Sequence, residues 1–259
     1  MAEAKTAIAN KPMWIDLATS DAAAAREFYS KLFGWKIDVN PDPQYGGYGM
    51  AELEGKRVAG IAPKMSPEAP TAWSIYIGTD DADDLARKVT AAGGKVVMAP
   101  FDVGDQGRMA VFQDPTGAFI SAWQAGAMTG AFATGTAGTF GWAELSSRGV
   151  DNAIPFYKKV FGWATKASPM GPDQPPYTEF QLGGESIAGG QEMPSMAPAS
   201  VPSNWLVYFN VTDVDKSFKA ATQAGARELV APQDFPGGRF ALVADPQGAS
   251  FGLLKMAPR

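Results

Sequence analysis

The chain has 259 residues, a net charge of −5, and neither cysteine nor histidine. That composition excludes a disulfide framework and a thiolate metal site, and it removes the commonest general base and the commonest transition-metal ligand together. The 22 Lys and Arg residues are scattered, with no basic block to neutralise a row of phosphates, so nucleic acid is not an expected partner.

No apolar run reaches the length of a membrane span, and the first ten residues lack the apolar block of a signal peptide, so the expectation is a soluble cytoplasmic protein with no membrane partner. After a frayed start to about Lys11, Met13 to Thr19 alternates as a strand. Ile15 and Leu17 point towards the next helix, and Trp14, Asp16 and Ala18 point to the opposite face. Ser20 or Asp21 caps that helix. Its Phe28, Tyr29, Leu32 and Phe33 make one apolar face, and Gly34 follows where a left-handed residue can end it. Lys36 to Val39 reads as a strand, Asn40 to Gly47 as a loop, and Tyr48 to Leu53 with Arg57 to Ala62 as a hairpin about Glu54-Gly55. The result is a βαβββ unit.

Pro63 to Thr71 is a linker, after which the pattern restarts. Trp73 to Gly78 forms a strand with Ile75 and Ile77 on the packed face and Ser74 and Tyr76 on the other. A helix runs from Asp80 or Asp81 to about Ala92 and stops at Gly93-Gly94. Strands follow at Lys95 to Met98, Arg108 to Phe112 and Ala118 to Trp123, the last two separated by an Asp114-Pro-Thr-Gly117 turn.

Gly126 to Gly138 has the composition of a connector, and then the whole sequence of landmarks returns. Phe28 to Trp35 reappears 128 residues later as Phe156 to Trp163 with six of eight residues identical. Trp14, Asp16, Tyr48, Gly60 and Tyr76 become Trp142, Glu144, Tyr177, Gly189 and Tyr208, and the second Asp-Pro turn is Asp245-Pro-Gln-Gly248. Asp151 is the expected cap of the third helix, with Pro155 in its first turn. The chain is thus expected to be α+β: four βαβββ units in two tandem halves, residues 12–125 and 139–257, joined by a linker at 126–138.

Four such units, helices ending Phe-Tyr-x-x-x-Phe-Gly-Trp, and a DPxG turn before the last strand of each half together resemble the vicinal oxygen chelate superfamily. This is the group of glyoxalase I, extradiol dioxygenases, and fosfomycin- and bleomycin-resistance proteins. The resemblance runs from about Met13 to Met256 and implies curved mixed sheets around cavities. Carried over position by position, it places the family's metal ligands at Trp14, Ser74 and Ser121 in one half and at Trp142, Leu206 and Gly252 in the other. None of these is a usual metal ligand, so the resemblance implies that the metal site is absent and no cofactor is expected, unless Asp16 or Glu144 has taken over coordination.

Alternation places Trp14, Asp16, Ser74, Tyr76, Ser121 and Trp123 on cavity-facing positions of the first half, and Trp142, Glu144, Leu206, Tyr208, Gly252 and Leu254 on those of the second. Aromatic walls with few polar groups suit a flat, aromatic small molecule stacked on indole or phenol. An inward carboxylate needs a partner. For Asp16 and Glu144 that partner is either Arg108 or Arg239, in a structural salt bridge, or a ligand, in an acid/base role. Three readings stand: a metal-free small-molecule binding protein; a metal-independent enzyme with Asp16 or Glu144 as acid/base and Tyr76 or Tyr208 as polariser; and a cavity-filled interaction protein. The protein is expected as a monomer or homodimer, and whether cavities form within a half or between halves is open.

Overall fold

The computed structural model describes residues 9–129, 132–170, 175–195 and 197–257. Among them are sixteen strands and four α-helices, in the order expected from the repeat, with one 3₁₀ turn at Pro43–Tyr45. The first half contains β1 Pro12–Thr19, α1 Ala22–Phe33, β2 Lys36–Val39, β3 Gly49–Leu53, β4 Lys56–Pro63, β5 Ala72–Thr79, α2 Ala82–Ala91, β6 Lys95–Val103, β7 Gly107–Gln113 and β8 Phe119–Ala125. The second contains β9 Phe140–Ser147, α3 Val150–Phe161, β10 Ala164–Ser168, β11 Tyr177–Leu182, β12 Glu185–Glu192, β13 Asn204–Asn210, α4 Val214–Gln223, β14 Arg227–Phe235, β15 Gly238–Ala244 and β16 Ser250–Met256. None of the described helices is long and apolar enough to cross a membrane.

Local chemistry explains most boundaries. Asp21 caps α1 by accepting from the Ala24 N–H at 3.0 Å, and Gly34 and Gly162 close α1 and α3 with φ of 74° and 71°, a conformation that costs an L side chain energy. β6 continues past Met98 through Pro100, which an outermost strand tolerates because one of its edges needs no N–H donors; the pairing slips there.

Two expectations for α3 are corrected. Its N-cap is Gly149, not Asp151, and the cap is supplied from a distance. The Glu192 carboxylate accepts from the Gly149 N–H at 2.9 Å and the Val150 N–H at 3.0 Å, placing negative charge at the helix's positive end. Because the helix starts at Val150, Pro155 lies in the second turn, where it removes one hydrogen bond from the ladder.

The strands form two eight-stranded sheets, ordered β2-β3-β4-β1-β5-β8-β7-β6 and β10-β11-β12-β9-β13-β16-β15-β14. Each sheet is therefore built from the strands of one half. Compactness divides the chain differently. Unit I gathers the described residues of Met1–Trp14, Ile75–Ala131 and Ala143–Trp205, and unit II those of Ile15–Ser74, Phe132–Trp142 and Leu206–Arg259. Unit I thus combines most of the second and third βαβββ units, and unit II most of the first and fourth.

The repeated Phe-Tyr-x-x-x-Phe-Gly-Trp stretch is the core of each unit. In unit I, Tyr157 stacks on Trp163 (centroids 5.4 Å, interplanar 11°) and meets Trp205 edge-on at 5.4 Å; in unit II, Tyr29 stacks on Trp35 (5.7 Å, 18°) and meets Trp73 edge-on at 5.2 Å. Such pairs add about 0.5–1.5 kcal/mol each beyond burial. Both buried phenols are fully hydrogen-bonded. Tyr157 donates to Asp114 Oδ2 at 2.8 Å and accepts from Trp205 Nε1 at 2.8 Å; Tyr29 donates to Asp245 Oδ2 at 3.0 Å and accepts from Trp73 Nε1 at 2.9 Å. The aspartates belong to the two Asp-Pro turns, and their other oxygens accept turn N–H groups from Thr116 and Ala118 or from Gln247 and Ala249. One carboxylate therefore both shapes a turn and anchors the helix of the other half. Burial pushes both tyrosines well above the ordinary phenol range, and burial also raises Asp245.

Candidate functional site

The sequence-selected residues fall into both units. Trp14, Tyr76, Ser121, Trp123, Glu144 and Arg108 belong to unit I, and Asp16, Ser74, Trp142, Leu206, Tyr208 and Arg239 to unit II. Trp14, Tyr76, Ser121, Trp123, Glu144 and Tyr208 are buried, whereas Asp16, Ser74, Trp142 and Leu206 are half-buried.

Strand register assembles a carboxylate-bearing face in each unit. In unit II, Asp16 on β1 pairs with Gly60 on β4, Gly60 with Met50 on β3, and Met50 with Asp38 on β2, so the four line one face of the sheet. In unit I the same row reads Glu144, Gly189, Glu179 and Lys166 on β9, β12, β11 and β10. The glycine in each row makes room for a phenol. A Cβ on Gly60 would lie 1.8 Å from the Tyr48 hydroxyl oxygen, and one on Gly189 would lie 1.8 Å from that of Tyr177. Each hydroxyl therefore rests on the strand that borders the carboxylate-bearing one, on the carboxylate's side.

The two rows differ around the carboxylate. Glu144 is 7 % exposed, and Gln191 Nε2 donates to its Oε1 at 2.9 Å. Glu179 accepts from the Ser168 and Ser186 hydroxyls with Lys166 nearby, and these hydrogen bonds hold its carboxyl below the usual range. The corresponding positions near Asp16 are Ala62 and Met50.

Further along the sheets, Tyr76 on β5 pairs with Ser121 on β8, and Tyr208 on β13 with Gly252 on β16. The Tyr208 ring occupies the space above Gly252, where a Cβ would come within 2.0 Å of a ring carbon. Phe240 meets this ring edge-on at 6.4 Å. Trp123 is anchored by its Nε1 donating to the Met128 carbonyl at 3.2 Å, its ring against Gly107.

The sequence offered Arg108 and Arg239 as salt-bridge partners for Asp16 and Glu144, beside a ligand. Arg108 directs its guanidinium to Asp83 and Asp102, and Arg239 to Asp215 and Asp234, all at 2.8–3.0 Å. In both cases the helix that follows the first strand of the βαβββ unit offers a carboxylate in bidentate geometry, the strong form of such a pair. Those arginines brace α2 on β7 and α4 on β15.

At the six positions where the resemblance places metal ligands, the side chains are not usual ligands. Indole, hydroxyl, isobutyl and a bare glycine offer no imidazole or carboxylate, and at Gly252 a phenol ring fills the space a ligand side chain would need. Among the described residues no three His, Cys, Asp or Glu converge. An open groove of about 420 Å³ in unit I, bordered by Asp80, Asp84, Lys88 and Lys159, includes none of the sequence-selected residues.

Sequence reasoning missed Tyr48, Tyr177, Gln191 and Glu179 as site residues. The available signal was spacing: Tyr48 precedes Gly60, and Tyr177 precedes Gly189, by the same 12 residues.

Comparison with known proteins agrees with this fold. Residues 11–121 match the model described as the Glyoxalase/Bleomycin resistance protein/Dioxygenase superfamily, and residues 142–254 match a Glyoxalase-like domain. A Mycobacterium bovis protein named "Putative glyoxylase CFP32" is 43% identical over 254 residues, covering 96% of this chain and 95% of its own. "Anthracycline biosynthesis protein DnrV" of Streptomyces peucetius is 38% identical over 259 residues, covering 95% and 93%. The crystal structure of the Mn(II)-bound glyoxalase from Novosphingobium aromaticivorans shares the fold, with a TM-score of 0.63 at 17% identity and coverage of 96% and 84%. With a domain match in each half and relatives that align over nearly its whole length, the chain belongs to the glyoxalase/bleomycin resistance/dioxygenase superfamily as a two-domain member.

Proposed function

We propose that the protein is a metal-free member of this superfamily that binds a flat, largely apolar small molecule, with an aromatic or natural-product ligand resting against Trp14 and Tyr76 or against Trp142 and Tyr208. The observation that carries this reading is the Tyr208 ring lying over Gly252, and it is supported by the lack of a usual metal-ligating side chain at each position the resemblance assigns to one. The surfaces left are aromatic with isolated polar groups, which suits stacking rather than Lewis-acid chemistry. The name of the Streptomyces peucetius relative points the same way, since anthracyclines are planar aromatic natural products. Asp16 or Glu144 sets the ligand's orientation, assisted by Ser74 or Ser121.

Intrinsic tryptophan fluorescence tests this directly. Aromatic compounds titrated into the protein should bind with micromolar affinity, about −8 kcal/mol. Loss of one stacked indole in Trp14→Ala or Trp142→Ala, at about 0.5–1.5 kcal/mol beyond burial, should weaken binding roughly twofold to tenfold. Equal binding by wild type and both folded variants would refute the assignment. Elemental analysis should find no stoichiometric transition metal.

The buried, oriented carboxylate of Glu144 favours a second reading, a metal-independent enzyme with Glu144 or Asp16 as acid/base and Tyr76 or Tyr208 as polariser. Conversion of a bound compound, abolished by Glu144→Gln or Asp16→Asn, would establish it in place of simple binding.

A further inference from the structure

Tyr76 and Ser121 in unit I hold the same strand register as Tyr208 and Gly252 in unit II, but only the second pair can close on itself. The Tyr208 ring lies over Gly252 because that residue has no Cβ, which would come within 2.0 Å of one ring carbon and 2.4 Å of another. Ser121 carries that Cβ, so the buried Tyr76 ring cannot take the same place. The neighbours differ too. In unit II the Tyr208 ring meets Phe240 edge-on at 6.4 Å, and Phe240 meets Phe235 edge-on at 5.9 Å, so the chain packs its own rings together. Met109 and Val103 hold the corresponding positions of β7 and β6 in unit I. Trp123, the counterpart of Leu254, leans over Gly107, away from Ser121, and is held there by its bond to the Met128 carbonyl at 3.2 Å. Met109 and Val111, paired with Trp123 and Ser121, are half-buried, so this stretch of the face reaches solvent.

Resting on the ligand-binding reading above, we infer that the chain binds one ligand, in unit I, and that an aromatic ring of this ligand rests on Ser121 as the Tyr208 ring rests on Gly252. The second half packs from its own side chains what the first half takes from solution. A free ring can stand off the Ser121 Cβ at van der Waals distance, about 3.5–4.0 Å, whereas a tyrosine ring is held to the sheet by its own Cα. Ser121 offers the ligand a hydroxyl, and Met109 offers a polarisable sulfur at the ring edge, where Phe240 meets Tyr208 in unit II. Ser121 and Met109 therefore determine which half binds.

The test is isothermal titration calorimetry with two probes: p-cresol, whose ring and hydroxyl copy a tyrosine side chain, and 2-naphthol. It is run on the full wild-type chain and on Ser121→Phe, Met109→Ala, Phe240→Ala and Tyr208→Ala, each with its fold checked by circular dichroism. Wild type should take up one equivalent of probe per chain. Ser121→Phe should fill the place and abolish binding. Met109→Ala should weaken binding about threefold or more by removing the sulfur, and it decides the matter if Ser121→Phe does not fold. Phe240→Ala should leave the affinity of the wild-type equivalent within about twofold, and Tyr208→Ala should admit a second equivalent by vacating the space over Gly252. Two equivalents on wild type, or an affinity that ignores Ser121→Phe and Met109→Ala but falls in Phe240→Ala, would overturn the assignment to unit I alone. Failure of both probes to bind wild type would overturn it together with the reading beneath it.

Discussion

Tyr157→Phe is the most informative single substitution for the architecture. It deletes one oxygen and leaves the ring in its stack with Trp163, so the packing is nearly unchanged. Two groups lose their partner: the Trp205 Nε1 donor at 2.8 Å and the Asp114 Oδ2 acceptor at 2.8 Å, on residues 7 % and 3 % exposed. Each buried group left unsatisfied costs about 1–3 kcal/mol, so the variant should lose roughly 2–6 kcal/mol. Against a typical total of about 5–15 kcal/mol this is a large fraction, and at about 2–4 °C per kcal/mol it corresponds to a fall in Tm of roughly 4–24 °C for a chain of this size. Urea unfolding followed by circular dichroism and tryptophan fluorescence measures it, with an unchanged m-value showing that the midpoint shift reports stability. Tyr29→Phe should behave alike through Trp73 and Asp245. The two losses should add, since the networks share no partner. Tyr45→Phe is the control, a half-buried tyrosine in a surface loop, expected to change stability by less than about 0.5 kcal/mol. If Tyr157→Phe and Tyr29→Phe were as mild as Tyr45→Phe, the buried bridges would not be what joins each helix to the turn of the other half.

Alkaline titration offers an independent check. The folded-state pKa values of Tyr29 and Tyr157 are raised, so their contribution to stability is intact below about pH 10 and is lost as pH rises towards the folded values. Absorbance at 295 nm should show both phenols ionising only with unfolding, a phase missing from the Tyr29→Phe/Tyr157→Phe variant. In acid the sign reverses for Asp83 and Asp215, which Arg108 and Arg239 hold below the usual carboxylate range. Their stabilisation is present above about pH 4 and lost as pH falls through the lowered values, so Arg108→Ala should flatten the acid limb of a stability profile. Asp245, raised by burial, opposes that trend, favouring the fold more as it protonates. Glu192→Ala should cost about 1 kcal/mol in thermal unfolding by uncapping α3, and Asp151→Ala should cost less.

The sequence by itself determined the elements and their repetition. The alternation in Met13 to Thr19, the apolar face of Phe28 to Phe33, the αL glycines at 34 and 162, and the 128-residue echo are local signals, set by backbone period and steric cost, and each produced its strand, helix or turn. The fold class followed, because four such units have few ways to bury their faces. What the sequence left open depended on long-range pairing. Tyr29 finds Asp245 at a separation of 216 residues, Glu192 caps a helix that begins 42 residues earlier, and Arg108 turns to Asp83 and Asp102; in each, several groups of suitable chemistry competed and only three-dimensional proximity chose. The candidate site divided in the same way. Asp16 and Glu144 were legible because alternation fixes which way a strand residue points. Gln191, Glu179, Tyr48 and Tyr177 were not, because their place beside those carboxylates is set by the register of neighbouring strands, and a slip of one residue would have turned each to the opposite face.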